Sequence, residues 1–275
     1  MPSINTNYGA AVALQSLNKT NAQLETTQNR INTGMKVSSA KDNGAIFAIA
    51  TSQRSNMGAQ DAVRNSLQRG QSIIDVALAA GDTAVSALEE MKALAVNIAS
   101  SSGDAQKAYL ADWNALGQEV DKALKGASFD SVNLWNTTTA TSVTTSTAAT
   151  GNTFQIGFGT TDKAAATAIT DITATATAPA DATAAAAFAT KADAAIKAMT
   201  SDLATLGTQS KSLGRQITFV NKLQDALEAG VGNLVDADLA KESAKLTALQ
   251  TKQQLGVQAL SIANQGSSIL LGLFR

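Results

Sequence analysis

The sequence contains neither cysteine nor histidine. Their absence excludes thiol nucleophiles, Ser/His/Asp triads, disulfide frameworks, zinc fingers and histidine-ligated metal sites. Proline is also scarce, at 2 of 275 residues, and aromatic residues make up 4% of the chain. We therefore predict no cofactor, no metal site and no catalytic residue, since carboxylate, lysine and hydroxyl groups are all that remains for chemistry.

Charge is sparse and balanced, with a formal net charge of −1 and no run of Lys or Arg. Nucleic-acid binding is therefore not expected. Residues 1–35 carry only three charged side chains and lack the basic and apolar regions of a Sec-type signal peptide. Residues 269–274 are apolar but too short to span a bilayer, so no membrane insertion is expected. These rules are compatible with the cytosol and with export by another route.

Alanine dominates what is present, with 54 residues, and this composition favours long helices that pack closely. Residues 10–35 show an apolar spacing of four and three, which predicts a coiled-coil helix that stops at Thr33 and Gly34. The predicted seam consists of Ala10, Leu14, Leu17, Asn21, Leu24, Gln28, Ile31 and Met35.

Several further helices follow. Residues 39–42 have the form of a capping box, which predicts a long second helix that ends near Ser100. A third helix is predicted to end at Gly126, with its apolar face formed by Leu110, Trp113, Gly117, Val120 and Leu124. Residues 189–275 are again helical in pattern, with a predicted break at residues 230–233 and Asp236 as the cap of the last helix.

The middle of the chain differs in character, because 35 of residues 137–190 are Thr or Ala. Residues 154–158 favour a short strand, since β-branched and aromatic side chains suit a pleated surface. The predicted fold class is therefore mainly α: a long antiparallel helical hairpin or coiled-coil rod with a small β-containing, Thr/Ala-rich central segment. Its charge-poor ends need neighbours to cover their apolar faces.

Motifs near both termini resemble those of bacterial flagellin, in the same order and at similar spacing. They are SINTN at residues 3–7, INTG at 31–34, SAKDNGA at 39–45, FDSVNL at 129–134, the stretch 236–255 and ANQ at 263–265. The resemblance covers roughly residues 3–135 and 190–275. It is to the short alphaproteobacterial kind, which lacks large outer domains.

The resemblance implies a structural subunit that polymerises into the flagellar filament for swimming motility. It implies three segments: residues 1–35 and 236–275 as the inner coiled coil, and residues 36–235 as a rod-like helical outer domain with a β-rich insert around 130–175. It also implies an extracellular location after type III export without a cleaved signal. The implied partners are further copies of the chain or other flagellins, the filament cap, hook–filament junction proteins, an export chaperone and the export apparatus.

Apolar side chains of the terminal helices are the predicted assembly residues, because few charges accompany them. They are Leu14, Leu17, Leu24, Ile31, Leu246, Leu249, Leu260, Leu270 and Leu273. Two alternatives stay open at this point. A hook–filament junction protein or another type III-exported helical subunit shares paired terminal coiled coils. An enzyme could use the paired acids Glu89 and Glu90 or Asp236 and Asp238, although adjacent helical acids usually mark solvated faces or N-terminal caps.

Two finer expectations follow from the resemblance. Flagellins are often O-glycosylated on exposed hydroxyls, and the candidates here are Thr137, Thr138, Thr139, Ser142, Thr144, Thr145, Ser146 and Thr147. Flagellins that Toll-like receptor 5 recognises carry Arg where this sequence aligns Glu90, while Leu94 is retained and Asp112 keeps a carboxylate. Because Glu reverses the charge and removes a bidentate donor, weak or absent recognition is predicted.

Overall fold

A computed structural model describes residues 7–136, 140–145, 153–158, 164–173, 176–179 and 182–273. Helices account for most of these residues, and the predicted mainly-α class is confirmed. The elements are α1 (Tyr8–Thr33), α2 (Gly44–Ser100), α3 (Asp104–Gly126), β1 (Thr141–Thr144), β2 (Thr153–Ile156), α4 (Ala164–Thr173), α5 (Ala182–Val235) and α6 (Leu239–Leu273).

The chain divides into two compact units. Unit 1 comprises residues 1–55 and 226–275, and unit 2 comprises residues 56–225. Unit 1 thus contains α1, α6 and the adjoining ends of α2 and α5. The division into segments 1–35, 36–235 and 236–275 stays a prediction.

A short backbone pairing in unit 1 joins the loop after α1 to the loop before α6. Gly34 ends α1 with φ 70°, a left-handed conformation that suits glycine, so the predicted stop is confirmed. Met35 and Asp236 then form an antiparallel bridge. The Lys36 amide donates to the Val235 carbonyl at 2.7 Å, and the Ala237 amide donates to Gly34 at 2.9 Å.

The capping-box prediction at residues 39–42 is wrong. The Asp42 carboxylate accepts hydrogen bonds from the amides and hydroxyls of Ser38 and Ser39, which closes a turn before the helix instead of starting it. Asn43 caps α2, because its side-chain oxygen accepts from the Ile46 amide at 3.1 Å. The helix therefore begins at Gly44.

The same turn predicts a pH effect. The backbone amides of Ser39 and Ser38 lower the pKa of Asp42 below its ordinary value of 3.8. The stability that Asp42 contributes is therefore present above that value and is lost as pH falls through the lowered pKa. We expect Asp42→Asn to be less stable than the natural chain at neutral pH, with the difference closing in acid. Urea midpoints across this range test it, and a difference that grows in acid contradicts it.

The predicted break at residues 230–233 is also wrong, since α5 continues to Val235. Glycine in a helix interior costs only about 1 kcal/mol, and the neighbouring Val231 and Val235 are buried. Asp236 is not the cap of the last helix. Asp238 has that role, because its carboxylate accepts from the Ala240 and Lys241 amides at 3.1 Å each.

Unit 2 has a continuous apolar core formed mainly by α2, α3 and α5. All five residues of the predicted apolar face of α3 are buried. Trp113, in that face, is 1% exposed and packs edge-to-face on Phe188 of α5, with ring centroids 5.1 Å apart. The helical spacing therefore identified this core correctly.

The central segment supplies a two-stranded antiparallel sheet that packs on α2 within unit 2. Val143 of β1 pairs with Phe154 of β2. A Cβ atom at Gly70 would lie only 2.7 Å from Val143, so glycine at this position lets the sheet approach the helix. The Trp135 indole donates to the Ala77 carbonyl of α2 at 2.8 Å. The strand predicted at residues 154–158 is confirmed for residues 154–156, but β2 begins at Thr153 and ends at Ile156, and α4 was not predicted.

Candidate assembly surface

One stripe of α1 faces α6 in unit 1. Its members recur at alternating steps of three and four, which is the spacing of a coiled-coil seam. The buried and half-buried members are Ala10, Ala13, Leu17, Thr20, Leu24, Thr27 and Ile31. Leu14, Asn21 and Gln28 were predicted to lie in the seam, but they are exposed and the prediction is wrong for them. The seam instead contains the smaller side chains of Ala13, Thr20 and Thr27, which allow the two helices to approach closely.

The facing stripe of α6 has the same spacing. It consists of Glu242, Leu246, Leu249, Gln253, Gly256, Leu260 and Ala263. At Gly256, an added Cβ atom would lie 3.2 Å from Leu17, so the two helices are in close contact there.

Cross-helix hydrogen bonds show that α1 and α6 run antiparallel. The Asn7 side chain donates to the Ala263 carbonyl at 2.7 Å, near the start of α1. The Gln253 side chain donates to the Asn21 side chain at 2.8 Å, further along α1. The antiparallel helical pairing predicted from the sequence is therefore confirmed for these two helices.

A charged pair lies within this otherwise charge-poor seam. Arg30 donates to Glu242 at 3.1 Å, and the Glu242 side chain is only 11% exposed. Lys245 lies 3.7 Å from the second carboxylate oxygen. Removing a poorly solvated charge from its partner costs free energy. The pair therefore favours this alignment of α1 and α6 over alignments shifted along the helices.

Thr27 offers a test of the seam. The side chain is fully buried and its hydroxyl has no hydrogen-bond partner, whereas the Thr20 hydroxyl donates to the Ser16 carbonyl. Valine has the same shape without the polar group, so Thr27→Val is expected to stabilise the α1–α6 pair by about 1 kcal/mol.

Thermal melting of assembled chains by circular dichroism tests this expectation, with Thr20→Val as the matched control. The control removes a satisfied hydroxyl and is expected to give no gain. A melting temperature for Thr27→Val at or below that of the control would contradict the seam described here.

Large apolar side chains remain exposed on the outer surfaces of unit 1. Among the residues that the structure describes, twelve large apolar side chains are exposed, and nine of them belong to this smaller unit. The nine are Tyr8, Val12, Leu14, Ile49, Leu234, Leu239, Leu255, Val257 and Ile262. We call them the outer apolar set. Exposed apolar residues concentrated in this way mark interaction surfaces.

The predicted assembly residues fall into three groups. Leu14 belongs to the outer apolar set, at 48% exposed. Six of the others lie in the α1–α6 seam: Leu17, Leu24, Ile31, Leu246, Leu249 and Leu260. The side chains of Leu270 and Leu273 lie outside the described part of the chain. Their roles in assembly stay predictions.

Only Leu14 of the outer apolar set is among the assembly residues predicted from the sequence. A search for one apolar stripe per helix does not detect Leu255 and Ile262, which lie seven residues apart on a flank of α6 beside the seam. The sequence of α6 contains a signal for these residues, because its apolar side chains lie on more than one face. This pattern is typical of a helix that is buried on several sides.

Other predicted positions lie in unit 2. Ser142 and Thr144 are exposed on β1, and Thr145 follows that strand. The other O-glycosylation candidates, Thr137, Thr138, Thr139, Ser146 and Thr147, lie outside the described residues. Glu90 and Leu94 of α2 line one shallow groove with Asp112 of α3.

The described residues hold no group of three or more acidic side chains placed to bind a metal ion. No helix in these parts of the chain is long and apolar enough to cross a membrane.

Known proteins match the chain over nearly its full length. The family model of the bacterial flagellin N-terminal helical region matches residues 4–140, and the family model of the C-terminal helical region matches residues 189–274. Flagellin FljM of Caulobacter vibrioides is 51% identical over 275 residues, covering 99% of this chain and 98% of the relative. The flagellin of Brucella melitensis is 38% identical over 281 residues and flagellin C of Rhizobium meliloti 36% over 321, each covering both chains completely. The chain therefore belongs to the bacterial flagellin family.

Proposed function

We propose that this flagellin joins the flagellar filament through the outer apolar set of unit 1. As a flagellin, the chain is a structural subunit that polymerises into the helical filament. The observation that supports assembly through this surface is the concentration of nine exposed apolar side chains on unit 1, which contains α1 and α6. Burial of such side chains stabilises an interface by about 25 cal/mol per Å² of apolar surface.

Filament growth requires heterologous contacts. When a patch on one subunit binds a different patch on the next, association continues as an open helical tube instead of closing as a dimer. The antiparallel α1–α6 pair has two helices with exposed apolar residues, and therefore offers different patches to different neighbours. In this proposal residues 1–35 and 236–275 form the inner layer, the chain performs no catalysis, and it transmits torque as a mechanical element.

The filament is extracellular, so the chain has to leave the cell. We infer type III export without a cleaved signal, with an export chaperone, the filament cap and hook–filament junction proteins as further partners. Absence of cysteine is compatible with passage in an unfolded state. Mass spectrometry of secreted chains tests this route, since processing would remove part of residues 1–35.

A hook–filament junction protein is the alternative, and no observation favours it. The two functions differ in the length of the product. A flagellin extends filament seeds into long tubes, whereas a junction protein forms a short ring and stops.

O-glycosylation of the central segment is a separate part of this proposal. Ser142 and Thr144 are exposed and are therefore accessible to a glycosyltransferase. The intact mass of filaments from the native cell tests it, and a mass equal to that of the unmodified chain would refute it.

Recognition by Toll-like receptor 5 is proposed to be weak or absent. Glu90 is exposed in a groove shared with Leu94 and Asp112, where recognised flagellins carry Arg. Two carboxylates in one groove repel an acidic partner surface and cannot replace the donors of a guanidinium.

Glu90→Arg is accordingly expected to raise receptor signalling by tenfold or more, equivalent to about 1.4 kcal/mol of binding energy. A reporter-cell assay measures it, with Glu89→Arg as the control, because this exposed neighbour does not line the groove. Full potency of the natural chain, or an equal gain from both variants, would contradict the proposal.

A further inference from the structure

We infer that Asn43 is a site of spontaneous deamidation, a chemical modification that goes beyond the assembly function. Asn43 precedes Gly44, and this is the only Asn-Gly pair in the sequence. Both residues are exposed and lie where a loop of unit 1 enters α2. In most sequences the side chain of the residue after asparagine shields the backbone amide of that residue. Glycine has no such side chain, so in an Asn-Gly pair this amide attacks the asparagine side chain more readily than in any other pair.

The reaction needs no cofactor or enzyme. The backbone nitrogen of Gly44 attacks Cγ of the Asn43 side chain and forms a new C–N bond, while the amide proton and the side-chain NH2 leave as ammonia. The resulting five-membered succinimide then adds water at one of its two carbonyls. Opening at one side gives aspartate, and opening at the other gives isoaspartate, in which the backbone runs through the former side chain.

Local structure leaves the attacking amide available. Gly44 is the first residue of α2, and the first amides of a helix have no acceptor within that helix. The Asn43 side chain accepts from Ile46, and the Asn43 carbonyl accepts from Phe47. Apart from the adjoining residues and the backbone of the first turn of α2, no heavy atom lies within 4 Å of an added Cβ atom at Gly44, so the surroundings of this residue are open.

Other asparagines lack this combination. Asn65 and Asn233 are exposed, but each lies inside a helix, where the following amide is hydrogen-bonded. Ser66 and Leu234 also carry side chains beside the attacking nitrogen. These two positions serve as internal comparisons within the same chain.

The two products differ in their effect on α2. Aspartate keeps a side-chain oxygen for the Ile46 amide and adds a negative charge at the helix N-terminus, where charge of this sign is favourable. Isoaspartate inserts a backbone methylene group and moves the carboxylate to a new position, so the cap is lost. The ratio of the two products therefore determines whether an aged chain keeps the first turn of α2.

The test is peptide mapping of the full-length chain after incubation at mildly alkaline pH, with enzymatic methylation to identify isoaspartate. We expect Asn43 to convert before Asn65 and Asn233. Gly44→Ala is the matched variant, because the open space at this position accommodates a methyl group and alanine favours the helix. Its conversion is expected to be slower by about tenfold or more.

Asn43→Asp supplies the second comparison, since it has the aspartate product from the start and has no side-chain amide to lose as ammonia. Ring closure from its carboxylate, which would expel water, is slower than ring closure from the amide. Its helical content is expected to equal that of the fresh natural chain. The inference is overturned if Asn43 converts no faster than Asn65 and Asn233, or if Gly44→Ala converts at the natural rate.

Discussion

Replacing Leu255 and Ile262 together by glutamine is expected to stop elongation of filament seeds. These side chains are 59% and 68% exposed, so their loss leaves the interior of the chain unchanged. Each contributes roughly 1.5–3 kcal/mol when it is buried against a neighbouring subunit. Losing both raises the concentration needed for growth by about 100-fold or more, because each 1.4 kcal/mol changes an equilibrium tenfold. Light scattering after addition of seeds measures the effect.

The matched control replaces Thr247 and Thr251 by glutamine on the same helix. Both are exposed and polar, so the control has two new glutamines without losing apolar surface. Glutamine is a good helix former, and neither double variant should lose helical content. Normal elongation by the Leu255/Ile262 variant, or equal defects in both variants, would show that the outer apolar set does not drive assembly.

Trp113→Ala is expected to have the largest effect on the folding of unit 2. The side chain is 1% exposed and contacts Phe188 edge-to-face. Removing it leaves a large cavity between α3 and α5, and substitutions of this kind destabilise a protein by about 3–5 kcal/mol. Urea unfolding of the unassembled chain, followed by circular dichroism, measures the loss in the free energy of unfolding.

Phe219→Ala is the control for this prediction. Phe219 is an aromatic residue of α5 in the same unit, but its side chain is 57% exposed. Surface substitutions usually change stability by no more than about 0.5 kcal/mol. Similar losses for Trp113→Ala and Phe219→Ala would mean that Trp113 is not at the centre of this core.

Helix extents and the core of unit 2 could largely be predicted from the sequence. Apolar spacing located the buried face of α3, and Gly34 marked the end of α1 because its left-handed conformation suits glycine. Predictions from short stretches of sequence were wrong where tertiary contacts determine whether a helix continues. Gly230 and Gly232 suggested a break, yet burial of Val231 and Val235 holds the helix together.

The seam of α1 shows a limit of a different kind. From Ala10, the predicted seam advances by four and then three residues, whereas the observed seam advances by three and then four. Both seams contain every seventh residue, so Ala10, Leu17 and Leu24 belong to both. Leu14 favoured the wrong pattern because it is more apolar than Ala13. The choice depends on α6, which packs against the smaller side chains, and one helix alone does not contain that information.

The central claim is that the outer apolar set of unit 1 drives polymerisation. The most direct measurement is electron microscopy of seeded growth with and without residues 243–275, which carry Leu255, Val257 and Ile262 of this set. We expect long tubes from the full chain and none from the truncated chain. Unit 2 contains none of the removed residues, so its core should still form. Long tubes from the truncated chain, or failure of the full chain to extend seeds, would contradict assembly through this surface.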